Sequence, residues 1–191
     1  MDETNEIIIG VYGSADSRDY ERASVALRVG HAIAEHGATV VTGGCSGLPY
    51  AAALGAFEND GAVIAYSPVC SFEEQKEFTP HDELAVYSRI VYTPRSFGAS
   101  LPIAKNYRNV ISTAQVHGAV VIGGGWGTLH EVCALAAYGK PVGIVKGTGG
   151  VADLLPGIAW AIEKEGMRED VWFVSDDADL VVEWVVQGCG G

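Results

Sequence analysis

Short, uninterrupted apolar segments alternate with longer segments of helical periodicity along almost the whole of this sequence. A strand that is apolar at every position is typical of a parallel sheet whose two faces are both covered by helices. The pattern predicts strands at 7–12, 39–42, 62–66, 89–93, 119–122, 142–145 and 171–174. It predicts helices between them at 20–35, 49–57, 99–117, 128–139, 151–164 and 180–186.

This order of elements predicts an α/β fold with an open, doubly wound, mostly parallel sheet of six or seven strands in a three-layer, Rossmann-like arrangement. A chain of 191 residues can build one large core, and we expect a single domain over residues 1–191. The stretch 67–87 is less regular, and Ser71 and Thr79 each predict the start of a further helix there.

The charge of the chain narrows the range of partners. Asp and Glu total 24 against 12 Lys and Arg, and the net charge of −12 argues against nucleic acid and anionic membranes as partners.

No apolar segment approaches the roughly 20 residues that span a bilayer, and the acidic N-terminus is unlike a signal peptide. The four cysteines form no C-x-x-C pair, and neither His117 nor His130 has metal-ligand spacing to a second ligand. We therefore expect a cytoplasmic protein with reduced thiols and no metal site.

The segment GGGWGTLHE, residues 123–131, carries the strongest functional signal. It joins the predicted strand 119–122 to a helix, and its glycines let the backbone approach an anion closely. The first N–H groups of a helix have no intrahelical partner and lie at the positive end of the helix dipole, so they bind phosphate without a basic side chain. We predict phosphate or nucleotide binding by Gly124, Gly125, Gly127 and Thr128.

Glu131 has two interpretations that are not fully exclusive. Thr128 and Glu131 fit a capping box, in which the hydroxyl and the carboxylate satisfy free backbone N–H groups at the start of the helix. A carboxylate next to a phosphate site can instead act on the bound ligand.

Two more glycine turns follow predicted strands: Gly13-Ser14, and Gly43-Gly44 with Cys45. The carboxyl ends of parallel strands share one edge of the sheet, so these turns should join the central motif in one nucleotide site. The first turn is not the G-x-G-x-x-G dinucleotide fingerprint, and Ser14 and Ser17 suit ligand contact or helix capping equally. Cys45 has no neighbouring base in the sequence, which disfavours a nucleophilic thiol.

Arg108 is one of few basic residues and precedes the motif strand on a predicted helix. It shares a helix face with Lys105 and Ser112, at spacings of three and four residues. The pattern fits a cation that faces the ligand, and it also fits a solvated surface arginine.

The segments GGCSGLPYAAALGA at 43–56 and GGGWGTLHE at 123–131, together with Arg108-Asn109, resemble the LONELY GUY (LOG) family, long mislabelled as lysine decarboxylases. The resemblance covers about residues 7–147 and is closest to the Rossmann-like relatives that include molybdenum-cofactor carrier proteins. It is specific for the superfamily and much weaker for an activity. No lysine lies in a motif that would support decarboxylation through a pyridoxal Schiff base.

In hydrolytic LOG proteins an arginine and the motif glutamate cleave the N-ribosidic bond of a nucleoside 5′-monophosphate. The resemblance places these catalytic roles on Arg108 and Glu131, with no required cofactor. The assignment is chemically reasonable, because a carboxylate can stabilise the oxocarbenium-like sugar and orient water.

Two positions depart from the hydrolase pattern. Gly123 stands where the motif usually begins with Pro, and Asn109 stands where Lys usually follows the arginine. These departures favour the alternative of a non-catalytic binder or carrier of a phosphorylated ligand, such as molybdenum cofactor. Family members of this shape pair through helices beside the site, and the apolar helices 99–117 and 128–139 favour a homodimer, with a higher homo-oligomer left open.

Overall fold

A computed structural model of the protein describes residues 6–15, 19–98, 100–163 and 168–190. Within these ranges it contains one sheet in the order β4-β3-β2-β1-β5-β6-β7, and every neighbouring pair is parallel. The doubly wound α/β prediction is confirmed. The strands are β1 Ile8–Gly13, β2 Thr39–Thr42, β3 Val63–Ser67, β4 Arg89–Tyr92, β5 Gly118–Ile122, β6 Val142–Val145 and β7 Trp172–Ser175.

Helices cover both faces of the sheet. One buried apolar cluster includes side chains of α1, α2 and α7, and a second includes side chains of α5 and α6. Helix α4 packs beside α5. The helices are α1 Tyr20–Glu35, α2 Leu48–Glu58, α3 Phe72–Phe78, α4 Leu101–Gln115, α5 Trp126–Tyr138, α6 Gly150–Ile162 and α7 Ala178–Cys189.

The predicted helix at Thr79 is wrong. Ser71 does cap α3, and its hydroxyl accepts the Glu74 N–H at 3.2 Å. Thr79 is the C-cap of that helix, and its hydroxyl donates to the Gln75 carbonyl at 3.2 Å and accepts from Gln75 Nε2 at 2.9 Å. The hydroxyl closes the preceding helix, and the chain continues into a short 3₁₀ turn at Leu84–Val86.

Three sequence predictions concern residues outside the described ranges: the first residue of helix 99–117, the last residue of helix 151–164, and Ser17 in the first glycine turn. Among the helices that are described, none is long and apolar enough to cross a membrane.

The order of the strands reverses between β1 and β5. The chain moves from β1 outward through β2 to β4 on one side, and then returns through α4 to β5 on the other side. Gly13 pairs with Ile122, so the turns that follow β1 and β5 begin side by side. The crevice at this reversal is where open α/β sheets bind ligands.

Lys140 holds the far end of α4. Its Nζ donates to the carbonyls of Thr113 and Ala114 at 2.8 and 2.9 Å. A cation is favourable there, because the last carbonyls of a helix form the negative end of its dipole. Partial burial lowers the pKa of Lys140. The contact fixes the helix that carries Arg108 against the sheet.

Candidate functional site

A cavity of about 490 Å³ opens at the carboxyl ends of β1, β2 and β5. This volume lies within the range of small-molecule sites. Polar, charged and apolar residues all contribute to its wall. The lining residues are Val11, Tyr12, Gly13, Ser14, Ala15, Gly43, Cys45, Pro49, Pro102, Lys105, Asn106, Arg108, Asn109, Gly125, Gly127, Thr128 and Glu131.

The structure brings most of the predicted site residues to this cavity and places two elsewhere. Gly44 and Gly124 are not part of the lining. The Cα of Gly44 faces Ser67, and the Gly124 carbonyl accepts the Val151 N–H at 3.0 Å. The predicted residues that do line it are Gly13, Ser14, Gly43, Arg108, Gly125, Gly127, Thr128 and Glu131.

Helix α5 begins three residues earlier than the capping box requires, so that interpretation is wrong. Gly125 is the N-cap, and the first intrahelical bond runs from the Leu129 N–H to the Gly125 carbonyl at 2.9 Å. Thr128 is therefore the third residue of the helix, and its hydroxyl donates to the Gly13 carbonyl at 3.3 Å. Since a glycine cap has no side chain, the N–H groups of residues 126–128 have no capping oxygen from it.

The turn after β6 and the start of α6 hold the glycine motif 123–131 in place by hydrogen bonds on the side away from the cavity. Val151 N–H and Ala152 N–H, in the first turn of α6, donate to the carbonyls of Gly124 and Gly123 at 3.0 Å each. Gly123 N–H donates to the Thr148 hydroxyl at 2.9 Å, and that hydroxyl donates to the Val145 carbonyl at 2.6 Å. Thr148 was not predicted as a supporting residue. The glycine-rich turn KGTGG at 146–150 was the available signal.

Arg108 and Glu131 form a buried ion pair on the cavity wall. Arg108 Nη1 lies 3.3 Å from Glu131 Oε1, and the two residues are 8% and 5% exposed. The guanidinium lies directly on Gly43, where an added Cβ would be 1.6 Å from Nη1. Nη2 lies 3.7 Å from Cys45 Sγ. Only glycine at position 43 leaves room for this guanidinium.

Burial raises the pKa of Glu131 to about 7, and the positive charge of Arg108 partly opposes that rise. Burial also raises the pKa of Tyr12, and the charge of Glu131 adds to this rise. The Tyr12 hydroxyl donates to Ser112 Oγ at 3.4 Å. A buried carboxyl with a pKa near neutrality can gain or lose a proton at physiological pH, which suits acid–base or charge-stabilising chemistry.

Asn109 ties α4 to the start of α5. Its Nδ2 donates to the Gly127 carbonyl at 3.3 Å and lies 3.4 Å from His130 Nδ1. Asn109 Oδ1 and Arg108 Nε are buried, and neither has a hydrogen-bond partner among the residues that the structure describes. Buried polar groups are normally paired, so two unpaired atoms on adjacent residues indicate a site that is incomplete without a ligand or water.

The first half of α4 supplies one wall, where Lys105 was placed beside Arg108 from the sequence but Pro102 and Asn106 were not predicted. Pro102, Lys105, Asn106 and Asn109 recur at spacings of three and four residues, which places them on one helix face. Because Arg108 was already a candidate site residue, this helical spacing could have identified the neighbouring residues that line the cavity. Tyr12 and Pro49 line the cavity without a comparable local signal.

Comparison with known proteins agrees with this architecture. The SLOG cluster4 family model matches residues 6–169. The chain belongs to this family. The predicted membership of the LOG-like Rossmann superfamily is thereby confirmed. This SLOG protein is also 31% identical over 141 residues to an uncharacterized protein of Archaeoglobus fulgidus, covering 72% of this chain and 79% of the relative.

Several solved structures share the fold. The molybdenum cofactor carrier protein of Chlamydomonas reinhardtii is 26% identical with a TM-score of 0.71, covering 97% of this chain and 100% of its own. The molybdenum cofactor binding protein of Rippkaea orientalis is 24% identical with a TM-score of 0.72, covering 95% and 96%. DNA processing protein A of Helicobacter pylori, described with single-stranded DNA binding, is 14% identical with a TM-score of 0.65, covering 95% and 80%. At 24% and 14% identity the last two comparisons show the fold alone.

Proposed function

We propose that this protein binds a phosphorylated small molecule that carries a nitrogen heterocycle, such as a nucleoside 5′-monophosphate, with the phosphate at the N-terminus of α5. The observation that carries the proposal is the convergence of three glycine-bearing turns and a buried Arg108–Glu131 pair on one cavity. The uncapped start of α5 supplies N–H donors at the positive end of a helix dipole. Lys105 adds a cation to the same cavity.

Gly127→Ala tests the phosphate site. Nothing lies within 4 Å of a Cβ added at Gly127, so the fold should tolerate the methyl group, while the cavity beside it becomes smaller. We expect adenosine 5′-monophosphate (AMP) to bind at least about 10-fold more weakly by calorimetry, with the melting temperature unchanged or raised, because Ala favours a helix over Gly. Gly157→Ala is the matched control, since position 157 is also helical, also open, and remote from the cavity. Equal AMP affinity in wild type and G127A would refute this phosphate site.

The pairing of Arg108 with Glu131 favours a reaction on the bound ligand as a second candidate function. Hydrolysis of the N-ribosidic bond adds water to C1′ of the ribose and releases the base, which leaves with a proton. The Glu131 carboxylate would stabilise the cationic sugar and orient the water, and Arg108 would keep that carboxylate charged. Chromatographic detection of adenine from AMP tests this function. No base release from a panel of monophosphates that do bind would eliminate it.

Retention of a phosphorylated pterin is the alternative, and the likeness to molybdenum cofactor carrier proteins favours it. The residues present fit the phosphate of such a group at α5, and the unpaired atoms of Arg108 and Asn109 fit a polar ligand beside it. When bound, the cofactor would supply its own redox chemistry. Native mass spectrometry of protein expressed in a cofactor-producing host should then show a retained ligand. A ligand-free spectrum from such a host would count against the carrier function.

We also propose a homodimer through α4. Ile103 and Val110 are 57% and 43% exposed, and with Tyr107 and Ala114 they form an apolar stripe opposite the buried face of this helix. Residues 84–130 contain no Asp or Glu, although the chain carries 24 acids. Two chains of net charge −12 repel each other less where such a surface meets its copy. Light scattering should give about twice the chain mass of 20.0 kDa, and a monomeric mass at micromolar concentration would contradict the dimer.

A further inference from the structure

We propose that Gln75, on a short helix outside the cavity, is a positioning residue that orders the Gly43–Cys45 turn and thereby aligns Arg108 with Glu131. The proposal rests on the proposed function only for its ligand-binding consequence. Gln75 lines no part of the cavity and is fully buried. No sequence motif indicated it.

The side chain of Gln75 uses its amide on three partners. Nε2 donates to the Gly44 carbonyl at 3.0 Å and to the Thr79 hydroxyl at 2.9 Å. Oε1 accepts from the Ser67 hydroxyl at 2.5 Å. The two ends of the amide are distinguished by these partners, since the Gly44 carbonyl can only accept. Gln75 thus joins the turn after β2 to the end of β3 and to the end of α3.

The turn that Gln75 holds is the surface on which the guanidinium of Arg108 lies. Gly43 contacts Nη1 and Cζ of Arg108 directly, and Cys45 Sγ lies 3.7 Å from Nη2. The opposite side of the turn packs on Ser67, 3.3 Å from where a Cβ on Gly44 would lie. Gly44 has φ +58°, a left-handed conformation that glycine adopts without strain. The turn is therefore clamped between Arg108 on one side and Ser67 and Gln75 on the other.

Arg108 depends on this clamp because it has few bonds of its own. Among the described residues its side chain makes one ion pair with Glu131 and one sulfur contact with Cys45, and its Nε has no hydrogen-bond partner. A shift of the turn would therefore move the guanidinium relative to Glu131. Glu131 reports such a shift, because Arg108 from α4 and Tyr12 from β1 are the charged and titratable groups that act on it.

Gln75→Met tests the proposal, because it keeps the approximate shape of the side chain and removes every hydrogen bond of the amide. The carboxyl ¹³C signal of Glu131 is titrated by NMR in the ligand-free protein, and E131Q identifies the signal. We expect Q75M to raise the Glu131 pKa by about 0.5 or more, since a displaced Arg108 favours the carboxylate less. Val182→Ala, a buried position of α7 on the other face of the sheet, controls for lost stability and should leave the titration unchanged.

The remaining outcomes each decide the role of Gln75 or the binding of AMP. If Q75M does not fold, Ser67→Ala removes one bond of the amide and should shift the Glu131 titration in the same direction by less. An unchanged titration in the folded variants, or an equal shift in V182A, would overturn the role of Gln75. AMP should bind Q75M about 5-fold or more weakly than wild type. If wild type itself does not bind AMP, binding of this nucleotide fails as a proposal, while the titration still decides the role of Gln75.

Discussion

Replacing Glu131 by Gln should change how the stability of this protein depends on pH. In the folded state burial raises the pKa of Glu131 from its ordinary 4.5 to about 7. Between these two values the folded protein holds a proton that the unfolded chain has lost. The free energy of unfolding must therefore fall as the pH rises through this window. The contribution is fully present below pH 4.5 and is lost by about pH 7.

The size of the effect follows from the gap between the two pKa values. Each pH unit of that gap corresponds to about 1.36 kcal/mol, so the carboxyl accounts for a loss of about 3 kcal/mol across the window. E131Q has no proton to lose at this position. The stability of wild type minus that of E131Q should therefore decrease by about 2.5 kcal/mol between pH 5 and pH 8, whatever the other carboxylates contribute to both proteins.

Urea unfolding at a series of pH values, followed by tryptophan fluorescence without ligand, measures this difference. Glu183→Gln, which changes an exposed carboxylate on α7, is the control and should run parallel to wild type. Parallel curves for wild type and E131Q would show that the Glu131 pKa is the same in the folded and unfolded states. Burial would then not raise the pKa of Glu131.

Three more predictions concern the position of Arg108, the chemistry of Glu131 and the exposed apolar stripe of α4. Gly43→Ala should displace the guanidinium of Arg108 and weaken AMP binding at least about 10-fold by calorimetry, whereas an unchanged affinity would show that Arg108 does not contribute to the site. If the protein hydrolyses AMP, E131Q should lower the rate about 100-fold or more, and the wild-type rate should rise with pH through about 7; a rate that E131Q leaves unchanged would exclude Glu131 from the chemistry. Ile103→Asp with Val110→Asp should give a monomer by light scattering, and a persistent dimer would place the interface elsewhere.

Much of the fold could be predicted from the sequence because the strands are buried on both faces. Continuous apolar runs identified Thr39–Thr42 and Val142–Val145 with the bounds that the structure gives, and the other strands within one or two residues. Ser71 was found as a helix cap because a cap acts within a few residues of itself. The helix start predicted at Thr79 was wrong because the same local pattern can also occur at the end of a helix. A hydroxyl next to Pro suits the start of a helix, but only the fold shows that Gln75 already occupies it.

The candidate site was predictable as a location and less so in its contacts. The strand-turn-helix order placed the glycine turns on one edge, but it could not tell that Gly125 and Gly127 face the cavity while Gly124 faces α6. Thr148 and Gln75 lie 25 and 31 residues from the turns that they hold, so no local pattern connects them. The capping box failed because the helix begins at Trp126, which frees Glu131 for Arg108.

The carbonyls of the glycine motif connect the wall of the cavity to helix α6. The carbonyls of Gly123 and Gly124 accept hydrogen bonds from N–H groups in the first turn of α6. The N–H groups that follow them in the motif lie at the start of α5, beside the cavity. Consecutive hydrogen bonds through connected peptide groups polarise one another. An anion bound at the start of α5 should therefore strengthen the hydrogen bonds from α6 to the motif. Amide exchange at Val151 and Ala152 should then slow when a ligand binds, although neither residue lines the cavity. Ligand binding at α5 would then be detectable by amide exchange on α6.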